Sequence, residues 1–449
     1  MTIPTLAELR MALDEGRATS LKLTDAALAH IADPDGEGVR VFTKVYSGQA
    51  RTAAQASDLL RGAGLVRSAI DGLPISIKDL FDVAGETTMA GSVALADAPP
   101  ATENAVIVQR LLAAGAVIVG RTNMTEFAYS GIGMNPHYGT PRNPWDRETG
   151  RIPGGSSSGA AVSVSDNMAV AAIGTDTGGS VRIPAALCGL TGFKPTARRV
   201  PLDGALPLAT RLDSIGPIAA SVRCCALLDA ILSGDDGPLP APARLRGMRL
   251  ALPATIVQDG MDREVASAFQ GALTRLSAAG ALIEEIEVPE FAELAAINAT
   301  GGLSGAEAWA WHRALIERAG DAYDPRVLSR MRRGQTMSAA DLLELLQART
   351  RWTASVERRI AGHDAMIMPT VPIVAPTLNE LADDDAYYRA NALILRNPTF
   401  INFLDGCALS LPCHAPGPAP VGLMLAAAGG RDRAVLALGM AMEGCLRQA

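Results

Sequence analysis

Apolar positions recur along residues 5–31 at near-helical intervals, as Leu6, Leu9 and Leu13 and then Leu23, Ala27 and Ile31. The spacing predicts two helices parted at Gly16, with Ser20 capping the second. After the turn-forming run Asp33-Pro34-Asp35-Gly36 the period shortens to two. Val39, Val41, Thr43 and Val45 alternate as on a half-buried strand. Residues 73–80 make a short apolar segment of strand character that carries Lys78. From Ala105 to Thr122 the pattern reads helix, a break at Gly115, and a strand over residues 116–120.

Residues 131–160 are dense in Gly, Pro, Asn and Ser and predict loop, followed by a helix over 159–165. A buried strand over 169–173 delivers the chain into Gly178-Gly179-Ser180. A helix (221–233) leads to a proline-rich connection (237–243), the place for an insertion or lobe boundary, and then to a strand–helix unit over 248–280. Residues 303–360 read as amphipathic helix, 364–369 as a buried strand and 433–446 as a last helix. Strands alternating with helices predict a sheet covered by helices. No internal repeat or low-complexity tract interrupts this order.

Composition narrows the function classes. With 449 residues, 48% hydrophobic and 19% charged, the chain is globular and can bury a large core. Its net charge of -7 and lack of a dense basic run argue against nucleic acid as a direct partner. None of the six cysteines forms a CxxC pair, and Cys224-Cys225 are adjacent, so zinc-ligand spacing is absent and reduced, buried thiols are expected. Met1 to Glu8 lacks the basic and apolar regions of a signal peptide, and no apolar run reaches the ~18 residues of a spanning helix. A cytoplasmic chain away from the membrane, with no metal and no cofactor, is the expectation.

Three segments carry candidate chemistry. A strand ending in Gly178-Gly179-Ser180 must turn sharply, as glycine permits, and the N–H groups of Thr177, Gly178, Gly179 and Ser180 can then converge as an oxyanion hole. An ordinary tight turn with a satisfied hydroxyl accounts for the same residues. Ser156 sits twenty-four positions earlier, in Gly154-Gly155-Ser156-Ser157-Ser158-Gly159. No lysine follows those glycines as in a phosphate-binding loop, and apolar Ala160, Ala161 and Val162 rule out a linker. Lys78 lies among Leu73, Ile75, Ile77, Leu80 and Phe81. A free lysine, with a pKa near ~10.4, is neutral less than about once in a thousand at pH 7. Burial that lowers it by about three units makes it a usable base. Two serines in glycine-rich turns and one buried lysine suffice for a hydrolytic site without histidine. Of the five histidines none sits in a nucleophile motif; His137 and His414 lie nearest as secondary contacts, or else are satisfied by backbone.

Taken together, Gly72-Leu73-Pro74-Ile75-Ser76-Ile77-Lys78-Asp79, Gly120-Arg121-Thr122-Asn123-Met124-Thr125-Glu126-Phe127, Gly139-Thr140-Pro141-Arg142-Asn143-Pro144-Trp145, the two glycine-serine runs and Gly192-Phe193-Lys194-Pro195-Thr196 resemble the amidase signature family. Close resemblance covers about residues 71–220, with weaker echoes at 364–372 and 399–425. It implies one α/β domain over residues 1–449, a large mixed β-sheet flanked by helices on both faces, with variable substrate-shaping segments over about 237–400. It also implies a Ser–Ser–Lys triad: Ser180 as nucleophile, Ser156 as bridge with a cis peptide, and Lys78 as base. Ser157 and Asp176 fall on supporting positions. Arg182 reads as an internal brace or as a carboxylate contact, Tyr129 and Ser130 as the acyl-side wall, and Arg396 to Leu404 as another wall. The implied partner is a small-molecule amide, and a homodimer is left open.

The resemblance allows two activities. One is a stand-alone amidase cleaving a small carboxamide or ureide to release ammonia or an amine. The other is the glutaminase component of a glutamyl/aspartyl-tRNA amidotransferase. The acidic residue expected to grip glutamine a few positions before Asn402 is missing, since Leu395, Arg396 and Asn397 stand there. This favours the stand-alone enzyme. A catalytically silent binding scaffold is the alternative of another class, and the intact Lys78, Ser156 and Ser180 oppose it.

Overall fold

The first helix, Leu6–Asp14, opens on a capping box in which the Thr5 hydroxyl accepts the Glu8 N–H while the Glu8 carboxylate accepts that of Thr5. The structure, a computed structural model, describes residues 3–446, so Met1 and Thr2 at the head of the segment read as leaderless lie outside the described residues. The second helix, Ser20–Ala32, is capped by Thr19 and not by Ser20. Ser20 is buried, and its hydroxyl donates to the Gly72 carbonyl at 2.7 Å. The alternation from Val39 also misleads: Gly38–Val41 is a helical turn, Val39 is 79% exposed, and sheet pairing begins only at Phe42.

Eleven strands follow in chain order: β1 (Phe42–Val45), β2 (Pro74–Lys78), β3 (Val117–Thr122), β4 (Ala171–Asp176), β5 (Thr191–Lys194), β6 (Ser214–Ala219), β7 (Arg249–Pro253), β8 (Leu282–Ile286), β9 (Ala365–Pro369), β10 (Cys407–Pro412) and β11 (Gly422–Ala427). They form one mixed sheet in the order β1-β3-β2-β4-β6-β5-β10-β11-β9-β7-β8. β3, β2 and β4 run parallel, as do β9, β7 and β8, and antiparallel pairs join the two groups. The proline-rich connection 237–243 leads into β7 of the same sheet, so it divides no lobes.

Alternate side chains feed two apolar layers. Ile75, Ile77, Ala171 and Ile173 pack with the helices Val106–Ala113 and Val222–Ser233. Val117, Val119 and Ala172 pack on the other face with the helix Ser158–Ser165. Helices thus flank the sheet on both faces, as the resemblance implied.

This topology places the chemistry at one edge. β2 and β4 are parallel neighbours, so Lys78 and Asp176 both stand at carboxyl ends on the same rim. β6 runs back from that rim, with Ser214 opposite Asp176. Ser76 Oγ meets Ser163 Oγ at 2.9 Å, which sets one face of β2 toward the helix Ser158–Ser165. Lys78, two residues on, leaves the strand from that same face, where the Ser156 loop enters the helix.

Candidate active site

Lys78 is fully buried, and its Nζ donates to Ser156 Oγ at 2.7 Å and to Thr175 Oγ1 at 2.9 Å. Burial drives its pKa down to about 7, against the pull of the Asp176 and Asp213 carboxylates, which favour the charged form. A large share of the amine is therefore neutral at neutral pH. Ser156 is buried too, its peptide with Gly155 is cis, and its carbonyl accepts the Thr125 N–H at 3.0 Å. The Ser157 N–H donates to the Ser180 carbonyl at 3.3 Å and its hydroxyl to the Thr175 carbonyl at 3.4 Å. The two serine loops are thereby joined through Ser157.

Asp176 shapes the turn that presents Ser180. Its carboxylate accepts the N–H groups of Gly179 (2.9 Å), Val181 (3.1 Å) and Arg182 (3.3 Å), the Arg182 guanidinium (2.9 and 3.0 Å) and the Asn402 amide (2.9 Å). Burial alone would push this acid up, but the charges of Arg182 and Lys194 and the hydrogen bonds of Arg182 and Asn402 hold it far below the usual carboxylate range. Gly179 has φ +128°, and a Cβ there would sit 2.5 Å from Ile183 Cδ1 and 2.6 Å from Pro398 Cβ, so the turn admits only glycine.

One expectation needs correction, and one alternative closes. The Gly179 N–H, expected among the oxyanion donors, is engaged by Asp176 at 2.9 Å. Arg182 cannot meet a substrate carboxylate. It is fully buried and held by Asp176, the Pro398 carbonyl (3.0 Å) and Asn402 Oδ1 (2.6 Å), which makes it an internal brace.

Ser180 opens onto a cavity of about 410 Å³, which Thr177, Gly178, Tyr129 and Ser130 also line. Its hydroxyl makes no hydrogen bond among the described residues, whereas Lys78 and Ser156 are withdrawn from the cavity wall. Ser130 is a wall residue whose hydroxyl is already satisfied: it donates to Asn391 Oδ1 (2.9 Å) and accepts from Tyr387 OH (2.7 Å) and the Ile132 N–H (3.1 Å). The expected wall from Arg396 to Leu404 lies on the long helix Asp384–Leu404, which brings Arg396, Thr399, Phe400 and Phe403 to the cavity.

Several residues escaped the sequence reading. Thr175, the second partner of Lys78, had no signal beyond its place near the end of β4. Asp213 receives the Thr177 hydroxyl and the N–H groups of Leu208 (3.0 Å) and Ala209 (3.1 Å); only the β4–β6 pairing brings it to the rim. Arg330 and Arg333 reach the cavity from the stretch read simply as amphipathic helix. His137 pairs with buried Glu126 at 2.8 Å, and His414 accepts the Val421 N–H at 3.1 Å; neither lines the cavity.

A model of the Amidase family matches residues 23–436. Over 448 residues the chain is 34% identical to a 2-amino-5-chloromuconic acid deaminase of Comamonas testosteroni, covering 99% of this chain and 96% of that protein. Over 456 residues it is 33% identical to the A component of the glutamyl-tRNA(Gln) amidotransferase of Chloroflexus aggregans, covering 94% and 92% of the two chains. A crystal structure of an amidase, 33% identical in sequence, superposes with a TM-score of 0.89 over 99% of this chain and all of the other.

Proposed function

Because the chain belongs to the Amidase family and is a hydrolase of amide C–N bonds, we propose that it is a stand-alone amidase that cleaves a small carboxamide or ureide through Lys78, Ser156 and Ser180. Neutral Lys78 takes the proton of Ser156 as Ser156 takes that of Ser180, and Ser180 Oγ attacks the amide carbonyl. The N–H groups of Thr177, Gly178 and Ser180 hold the tetrahedral oxyanion. The proton returns from Lys78 through Ser156 to the nitrogen, the C–N bond breaks, and ammonia or an amine leaves an acyl-enzyme on Ser180. Water, deprotonated by the same relay, then releases the acid. The observation that carries this reading is a buried amine 2.7 Å from Ser156, whose loop is tied through the Ser157 N–H to Ser180 at the cavity.

The relative from Comamonas is a deaminase of a small organic acid, which supports release of ammonia. The likeness to the amidotransferase components favours a second reading, glutamine hydrolysis within a complex. Against it, no Asp or Glu lines the cavity among the described residues, so an α-ammonium group would find no counter-charge. An ammonia-release screen over amides and ureides with the purified chain separates the readings. Turnover without partners, lost in Ser180→Ala, is the expected result; turnover of glutamine alone and only beside partner proteins would shift the assignment to the second. Failure of a fluorophosphonate to label Ser180 would favour a silent scaffold.

A further inference from the structure

Three arginines, Arg330, Arg333 and Arg396, line the cavity that contains Ser180, and no acidic side chain among the described residues lines it with them. Each is oriented by neutral groups. Arg330 donates to the Tyr129 carbonyl and lies over the Tyr129 ring at 4.6 Å. Arg333 donates to the Ala299 carbonyl at 3.0 Å. Arg396 donates to Asn397 Oδ1 and to the Val257 carbonyl, both at 3.1 Å. None of the three enters a salt bridge among the described residues, whereas Arg121, Arg182 and Arg199 elsewhere in the chain all pair with carboxylates.

Carbonyl oxygens and ring faces fix a guanidinium without neutralising it, so the three arginines keep their charge at the cavity wall. The remaining walls are apolar, among them Leu208, Leu212, Phe291 and Phe400. Such walls repel bulk ions but strengthen a charge-assisted hydrogen bond once an anion is seated. A neutral amide would leave these three cations at the cavity wall with no anion in the cavity to meet them.

We propose that the substrate is a small amide bearing carboxylate groups, held by Arg330, Arg333 and Arg396 while its carbonyl meets Ser180. The inference rests on the hydrolase reading above and names the substrate class for that same site.

Succinamate and butyramide present the same amide with and without a carboxylate, which makes the ratio of their kcat/KM values the direct readout. The ratio should favour succinamate by about 10- to 100-fold, the worth of one charge-assisted hydrogen bond to a carboxylate. Arg333→Met, at an exposed position, and Arg396→Met should each bring the ratio toward one, chiefly through KM. A ratio near one in the parent chain, or one unmoved by either variant, overturns the proposal. Glutarate binding to Ser180→Ala, followed by calorimetry, reads the anion site without turnover. It should be present with the three arginines in place and weakened in the double variants. If glutarate binds and no amide is hydrolysed, the hydrolase reading fails while the anion site stands. If amides are hydrolysed but glutarate does not bind, the anion site fails alone.

Discussion

Burial lowers the pKa of Lys78 to about 7 and that of Lys194 to about 8, yet their surroundings suit them to different work. Lys194 Nζ donates to the carbonyls of Pro195 and Gly406, both at 2.7 Å, and carbonyls have no proton to give back. Lys78 meets two hydroxyls, which accept and donate. In the proposed mechanism the neutral amine is the working form, so the rate of the chemical step should rise as pH passes through about 7 and level off above. A rate flat from about pH 6 to 10 would count against lysine as the base. Thr175→Val removes an acceptor that favours the charged amine and should move the inflection of that profile to lower pH by up to about one unit. An inflection left in place would show that Thr175 does not bear on the base. Part of this was legible in the sequence: Lys78 among apolar neighbours announces a buried amine. Thr175 and Asp213 were not, since each gains its place from a strand pairing across many residues.

At the scale of elements, the turn between β4 and the short helix Arg182–Leu187 depends on a buried pair, Asp176 with Arg182. Removing one partner of such a pair leaves a desolvated charge and costs about 3–5 kcal/mol. Arg182→Met should lower stability by that order in denaturant titrations; a variant of unchanged stability would contradict its role as a brace. The helix Asp384–Leu404 braces the same turn from outside, since its Asn402 bonds Asp176 and its Pro398 carbonyl accepts from Arg182. Its pattern was hard to read because Pro398 signals a break, although the helix continues through it. β10 and β11 escaped for a different reason. They are buried on both faces, so the alternation that marks a half-exposed strand is missing.

For the whole molecule, the αβ rhythm and the signature motifs pointed to a mixed sheet between helices, but the order of its eleven strands comes from long-range pairing that no local pattern encodes. The cavity at Ser180 shows the same limit. Its floor, Thr177 to Ser180, belongs to the motif-rich half of the chain, while Arg330, Arg333 and the wall from Arg396 come from regions with a less distinctive pattern. No helix among the described residues is long and apolar enough to cross a membrane. Since the cavity, the brace and the residues of the proposed relay all lie within one chain, the purified protein should turn over its amide without any partner. A strict requirement for a second protein, seen as activity that appears only on mixing, would contradict that expectation.

The account turns on Ser180 as the attacking group, and mass-spectrometric mapping of a fluorophosphonate adduct tests it most directly. Fragment ions should place the adduct on Ser180 and not on Ser156, with labelling abolished in Ser180→Ala and amide turnover reduced by about 10⁴–10⁶-fold at unchanged thermal stability. An adduct on Ser156, or full turnover in Ser180→Ala, would contradict it.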